Sequence, residues 1–172
     1  MLKGIGILLI LSGSTGLGLT LAGELEKRIR ELRVLQQLMM VLRGEIRCMH
    51  RPLPEAFLRL GGTAPEPFGE FFLRTAKDLQ QRNGQTARQI WADNLEKCLG
   101  SLHIGPQERQ ELLELGNMLG YLDVEMQLNA LDYYLERLSG SVERAVETSK
   151  GRRRLYQYLG VMGGIMLVIC II

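Results

Sequence analysis

The sequence predicts an all-α protein: an antiparallel helical bundle with two long arm helices, flanked by N- and C-terminal transmembrane helices. Apolar residues recur at spacings of three and four from Glu24 onward, and no alternating β-type run of any length appears. Charge-free apolar segments occupy both ends of the chain, at 4–23 and 155–172. The expected organisation is a transmembrane helix over 1–23, a cytoplasmic helical-bundle domain over 24–150, and a basic flank with a second span over 151–172.

The two terminal segments predict membrane spans, because a helix of about 20 apolar residues crosses a hydrocarbon core of about 30 Å. The second segment is at the short limit of that length. Basic residues crowd the inner flank of each segment: Lys27, Arg28, Arg30, Arg33, Lys150, Arg152, Arg153 and Arg154. By the positive-inside rule the middle domain is cytoplasmic and both termini face outward. A cleaved signal peptide is the alternative for the first segment, but the basic cluster just after it opposes export.

The charge of the chain lies at the membrane flanks and not on the domain. Of the 21 basic residues, setting aside Lys3, Lys150 and Arg152 to Arg154 leaves 16 against 19 acidic ones, a formal charge of −3 over 24–149. Basic flanks suit anionic lipid headgroups, whereas a nucleic-acid surface would need a basic face on the domain. We therefore expect a lipid bilayer as a partner and no nucleic acid.

No pattern in the sequence indicates an enzyme. The chain has no glycine-rich phosphate loop, no nucleophile elbow and no recognisable pair of catalytic carboxylates. Cys48 and His50, with Glu45 nearby, could be written as metal ligands, but residues two apart on a helix point about 200° apart. We expect no catalytic residue, no cofactor and no metal, and a small metal-dependent enzyme is the weakest alternative. The cysteines fit reduced structural thiols: Cys48, Cys98 and Cys170.

The first helix of the bundle is predicted from about Glu24 to about His50. Its apolar stripe is Leu25, Ile29, Leu32, Leu35, Met39, Leu42, Ile46 and Met49. Arg51-Pro52-Leu53-Pro54 should end it, because proline removes an amide donor and disfavours helical geometry in the residue before it.

Three short helices are expected next. The first runs from Pro54 to Leu60 and should end at Gly61-Gly62. The second runs from Pro67 to about Arg82, closed by Asn83-Gly84, and should bury Phe68, Phe71, Phe72, Ala76 and Leu79. Thr86 opens the third, with Gln89 three residues later in capping-box spacing. This third helix should carry its apolar residues inward: Ile90, Trp91, Leu95 and Leu99.

Gly105-Pro106 predicts the start of a further helix, which carries Leu112, Leu113, Leu115 and Leu119. Glu108, Glu111 and Glu114 fall at i, i+3 and i+6 on it. The simplest interpretation is a solvated face, and the sharper one is an acidic docking patch.

The last helix is predicted from Asp123 as N-cap through Lys150. Its apolar residues step by four and three, which is the 3.5-residue period that keeps two helices face to face: Val124, Leu128, Leu131, Leu135, Leu138, Val142 and Ala145. The first and last helices are each about 40 Å long, and each joins a span. They should form an antiparallel pair, with the short helices of 53–120 packed around its distal part.

These residues carry a family resemblance over essentially the whole chain. The run from Leu115 to Asp123, with Gln127 beyond it, resembles the Gly-x-x-Leu-Gly-x-x-Asp-x-x-x-Gln signature of the stage III sporulation protein AB family. The other matching features occur in the same order: Glu45-Ile46, Pro52-Leu53-Pro54-Glu55-Ala56, Trp91, and Gly160 to Gly164 in the final span.

The resemblance implies a membrane protein of endospore-forming bacteria, made in the mother cell, with its soluble domain in the cytoplasm. It implies a non-enzymatic scaffold of a secretion-like channel, similar in its soluble domain to type II secretion F and type IV pilus platform proteins. The implied partners are the secretion-type ATPase of the same operon and other channel subunits, and homo-oligomers are left open. The runner-up function is a two-span signal-transducing or sensing protein.

The signature residues also have a purely structural interpretation of equal weight. Gly116 and Gly120 lie one turn apart, where the backbone of another helix could approach closely, and Leu119 fills the neighbouring core. Asp123 caps the next helix, and Gln127 could bond back toward that cap. Asp123 is also a candidate partner-binding residue. Glu45, near the distal end of the first helix, is the better candidate for docking the ATPase.

Overall fold

The computed structural model describes residues 2–81, 84–120 and 123–171, with side chains described over 23–81, 84–120 and 123–151. Every regular element in these ranges is a helix, which confirms the all-α class. The helices are α1 (Leu2–Met49), α2 (Leu53–Thr63), α3 (Phe68–Gln81), α4 (Ala87–Leu99), α5 (Pro106–Leu119) and α6 (Val124–Ile171).

The chain divides into two compact units. One is Arg30–Val142, and the other consists of the chain ends, Met1–Ile29 and Glu143–Ile172. Within the described part of the chain, no helix carries an apolar stretch long enough to cross a membrane. The two expected spans, at 4–23 and 155–172, fall on residues whose side chains lie outside that description, so both spans remain predictions.

The core of the Arg30–Val142 unit is built on the apolar stripe of α1. Five of its side chains are at most 1% exposed: Leu32, Leu35, Met39, Leu42 and Ile46. Successive helices then pack on each other, α2 on α3, α3 on α4, and α4 on α5. The α1 helix contacts α6 through an ion pair between Arg43 and Asp132, in which Arg43 Nη2 donates to Asp132 Oδ2 at 3.0 Å.

An aromatic cluster fills the space between α2, α3 and α4. Phe57 lies 5.6 Å from Trp91 and 5.7 Å from Phe72, and Phe71 lies 4.8 Å from Trp91, measured between ring centroids. All four rings are at most 2% exposed. Each buried ring stabilises the fold by about 1.5–3 kcal/mol relative to an exposed one. The expected inward positions of α3 and α4 are confirmed for Phe68, Phe71, Phe72, Ala76, Ile90, Trp91, Leu95 and Leu99.

The predicted stripes extend too far at their ends. Met49 is 62% exposed and Val124 is 50% exposed, because each lies in a terminal turn that no other helix covers. The middle of α6 also departs from the predicted seam: Tyr134 is 3% exposed, whereas Leu135 is only half-buried. The buried residues of α6 still step by three and four, so the 3.5-residue spacing holds but the seam is offset from the predicted one: Leu131, Tyr134, Leu138, Ser141 and Ala145.

Local chemistry sets most helix ends. The α1 helix ends at Met49, where His50 adopts a positive φ of 50° and the Arg51 amide donates to the Glu45 carbonyl over 3.4 Å.

At α4 the expected capping box is confirmed: the Thr86 amide donates to Gln89 Oε1 at 2.9 Å, and the Gln89 amide donates to Thr86 Oγ1 at 3.3 Å. The predicted closure at Asn83 lies outside the described residues, and Gly84 beyond it has a φ of 77°.

The expected end of α2 at Gly61-Gly62 is wrong, since the helix continues to Thr63. Gly61 serves close packing instead. A Cβ at this position would lie 2.7 Å from Leu73 Cγ and 2.9 Å from the Leu73 backbone nitrogen. Because only glycine fits there, α2 and α3 approach more closely than side chains would allow.

Candidate functional site

The two signature glycines, Gly116 in α5 and Gly120 just after it, provide space for α4. A Cβ on Gly116 would lie 2.0 Å from Cδ1 of Trp91, so the indole occupies the place of a side chain. The indole Nε1 donates to the carbonyl of Leu112 at 3.0 Å. A Cβ on Gly120 would lie 2.8 Å from Cβ of Ala87, in the first turn of α4. Gly120 therefore admits another helix as expected, whereas Gly116 admits a side chain and not a backbone.

The remaining signature residues join α5 to α6. The Asp123 side chain accepts from the Met126 amide at 2.9 Å, which places it as the N-cap of α6. Gln127 Nε2 donates to the carbonyl of Leu119 at 3.0 Å, across the turn between the two helices. Leu119 itself is 2% exposed. Residues 121–122 lie outside the described part, but the bonds on either side of them fix how the two helices meet.

Pro52 and Leu53 shape the start of α2. The Pro52 carbonyl accepts from the amides of Glu55 and Ala56, each at 3.0 Å, so Pro52 acts as the N-cap residue and Leu53 is the first helical residue. Pro54 follows at the second position, where its missing amide hydrogen leaves no bond unmade. These are local structural roles.

Glu45 lies between two arginines near the end of α1. Its carboxylate is 2.8 Å from Arg51 Nε and 3.6 Å from Arg59 Nε, and its side chain is only 16% exposed. The Glu45 carboxylate therefore links α1 to α2 through its ion pair with Arg59. A docking role for Glu45 remains a prediction, and a partner would meet the two arginines together with the carboxylate.

The three glutamates of α5 do not share one environment. Glu108 is 4% exposed and Glu111 is 6% exposed, while Glu114 is exposed and accepts from Gln110 at 3.2 Å. The expected solvated face is therefore wrong for the first two. Residues three apart share one side of a helix, and here that side also carries the buried Leu112 and Leu115.

Glu111 is the centre of a polar network between α5 and α6. Its Oε1 accepts from Arg137 Nε at 3.0 Å, from Arg137 Nη2 at 2.6 Å and from Gln107 Nε2 at 3.0 Å. Arg137 Nη1 also donates to Tyr133 Oη at 3.0 Å. These bonds to Tyr133 and Glu111 raise the pKa of Arg137, so the guanidinium stays charged. All three donors converge on Oε1, and Glu111 Oε2 is buried with no hydrogen-bond partner.

Tyr134 brings a second buried polar group to the same place. Its hydroxyl has no hydrogen-bond partner, and its side chain is 3% exposed. Burial first, and then the charges of Glu111 and Glu108, raise the pKa of Tyr134 well above its ordinary value, so the phenol stays neutral.

These groups line a cavity of about 20 Å³, which we call the α5–α6 cavity. Its lining residues are Glu111, Glu114, Leu115, Met118, Ala130, Tyr133, Tyr134 and Arg137. The sequence indicated the glutamates but missed the α6 half of the site. The available signal was a pair of tyrosines inside an apolar stripe, with an arginine one turn after Tyr133.

Other sequence candidates do not gather into a site. Over the side chains that the structure describes, no group of His, Cys, Asp and Glu is arranged to hold a metal ion. Cys48 is exposed and Cys98 is buried, and burial raises the pKa of the Cys98 thiol.

Comparisons with known proteins agree with one another. A family model described as Stage III sporulation protein AB matches residues 3–172. The chain is 25% identical over 169 residues to Stage III sporulation protein AB of Bacillus subtilis (strain 168), with 98% of each chain covered. A solved structure of a Stage III sporulation protein AB matches with a TM-score of 0.65 at 24% identity, covering 72% of this chain and 97% of that one. This structural likeness bears on the fold alone.

Proposed function

The chain belongs to the stage III sporulation protein AB family, and we propose that it is a non-enzymatic membrane platform that docks a cytoplasmic secretion-type ATPase during spore development. The family is named for sporulation and not for an enzymatic activity. In this proposal the two terminal segments are held in the mother-cell membrane. The domain over 24–150 lies in the cytoplasm, where it also meets other subunits of a secretion-like channel.

The observation that carries docking is the surface around the α5–α6 cavity. We define this α5–α6 surface by its exposed side chains: Glu114, Met118, Tyr133 and Arg137. Tyr133 is 56% exposed, Met118 is 42% exposed, and the Arg137 side chain is 41% exposed. Tyrosine, methionine and arginine are the residue types enriched at protein interfaces. A contiguous group of them supports a partner site at this place.

The geometry beneath this surface supports a rigid platform. Asp123 and Gln127 fix the turn between α5 and α6, and Trp91 seats α4 against α5. Partner surfaces that are already ordered lose less conformational entropy on binding. The cavity is also far smaller than the roughly 300–1,000 Å³ of a typical small-molecule site, which favours protein contact over a substrate.

Co-purification of the full-length protein, in detergent, with the ATPase of the same operon tests the proposal. We expect Met118→Glu to abolish co-purification, since it places a charge on the apolar part of the α5–α6 surface. Met40→Glu is the matched control, because Met40 is 52% exposed on α1 and outside that surface. If the unsubstituted protein retains no ATPase, the platform function itself is wrong. If both variants bind normally, docking occurs elsewhere.

A further inference from the structure

We propose that the α5–α6 cavity receives a lysine side chain of the docked ATPase. This inference rests on the proposed function and names the chemistry of the contact. Two buried polar atoms of residues that line the cavity lack a hydrogen-bond partner, Glu111 Oε2 and Tyr134 Oη. Buried polar groups in folded proteins are nearly always hydrogen-bonded, so each unmatched atom calls for an explanation.

The unmatched atoms call for a donor. Glu111 Oε2 is a carboxylate oxygen and can only accept, and a phenol oxygen can accept through its lone pairs. A group that carries several N–H donors would satisfy both atoms at once. An anion or a carbonyl could accept from the Tyr134 hydroxyl but would leave Glu111 Oε2 unmatched, so a donor group fits the pair better.

The charge of the lining favours a cation. Glu111 and Glu114 carry two negative charges against the single positive charge of Arg137. Arg137 is already engaged by Glu111 Oε1 and Tyr133. The charge of Glu108 is also felt at Tyr134 from the α5 side. One further positive charge would balance the cavity and its rim.

The size of the cavity favours lysine over arginine. A volume of about 20 Å³ holds one water-sized group. An ammonium is a compact point charge with three donors, whereas a guanidinium is a larger planar fork. The aliphatic stem of a lysine would lie along apolar rim atoms of Met118 and Tyr133 while its head enters the cavity.

The first test measures ATPase affinity and protein stability in parallel, with the full-length protein in nanodiscs. Tyr134→Phe removes only the hydroxyl, so we expect the thermal midpoint to stay equal or rise while the Kd for the ATPase increases about ten-fold or more. Glu111→Gln should weaken binding at least as much. Glu136→Gln is the matched control, because Glu136 is an exposed carboxylate on α6 that does not line the cavity. Equal affinity for the wild-type protein and Tyr134→Phe would overturn the inference.

The second test identifies the occupant. A carbodiimide joins a carboxylate directly to an amine in contact with it, so mass spectrometry of the treated complex should find Glu111 or Glu114 linked to an ATPase lysine. A link to a lysine of a second copy of this chain would overturn the ATPase as the occupant. Absence of any link, with normal binding of both cavity variants, would mean that only water fills the cavity. If the wild-type protein fails to bind the ATPase, the failure lies with the proposed function and not with the cavity.

Discussion

At the scale of single residues, Gly116 and Trp91 depend on each other. The indole occupies the space where a side chain at residue 116 would project, and its N–H satisfies the carbonyl of Leu112 inside the bundle. The glycine of the family signature is thus explained by packing. Its partner is the one tryptophan of the chain, 25 positions earlier in the sequence.

Gly116→Ala should destabilise the Arg30–Val142 unit by about 1–3 kcal/mol, because the added methyl group must displace the indole ring. Gly44→Ala is the matched control: Gly44 also lies inside a helix, but a Cβ there meets nothing within 4 Å. This control should be neutral or stabilise the protein by up to about 1 kcal/mol, since alanine favours helix more than glycine does. Thermal unfolding followed by circular dichroism measures both effects, and equal midpoints for the two variants would refute the packing account.

Asp123→Ala should lower the free energy of unfolding by about 1 kcal/mol, because the Met126 amide loses its acceptor at the start of α6. Asp123→Asn should be nearly silent in stability, since the amide oxygen can accept the same bond. Urea denaturation of the two variants checks the difference. Should Asp123→Asn fold normally yet lose its partner, the negative charge itself has a function beyond capping.

At the scale of helices, the ends and interior faces of α4 and α5 could be predicted because they depend on neighbouring residues in the sequence. Thr86 with Gln89 and Gly105 with Pro106 signal helix starts through local hydrogen bonding and backbone geometry. The environment of Glu111 could not be predicted in this way. Its burial depends on Arg137, 26 residues later, and on how two helices are placed against each other.

The same limit applies to the stripe of α6, where the predicted seam would bury Leu131, Leu135 and Leu138 equally. In the structure, Leu131 and Leu138 are 0% exposed and Leu135 is half-buried. Leu131→Ala and Leu138→Ala should therefore each cost about 2–5 kcal/mol, and Leu135→Ala should cost clearly less. Chemical denaturation of the three variants decides between the two arrangements, and equal losses would favour the predicted seam through Leu135.

At the scale of the whole molecule, the proposed topology separates the acidic domain from its basic flanks. The domain carries a formal charge of −3 over 24–149, while Lys150 and Arg152 to Arg154 border the second terminal segment. Anionic headgroups attract such flanks by about 1 kcal/mol for each basic residue.

Accessibility of one engineered cysteine tests this topology. In a variant without native cysteines, Gly62→Cys should react with a membrane-impermeant maleimide only after the cells are opened. Gly62 suits the test because a side chain there meets nothing within 4 Å. A tag at either terminus should be accessible from outside. Labelling of the cysteine in intact cells would show that the orientation is inverted.

The single tryptophan, whose indole packs against Gly116 of α5, also gives this protein an intrinsic fluorophore. Tryptophan emission shifts to longer wavelengths when the ring becomes hydrated, and here all of that signal arises from a single place in the fold. A red shift would report that water has reached the place where α4 packs against α2, α3 and α5. Binding or unfolding at this junction can thus be followed by light alone, without attaching a dye.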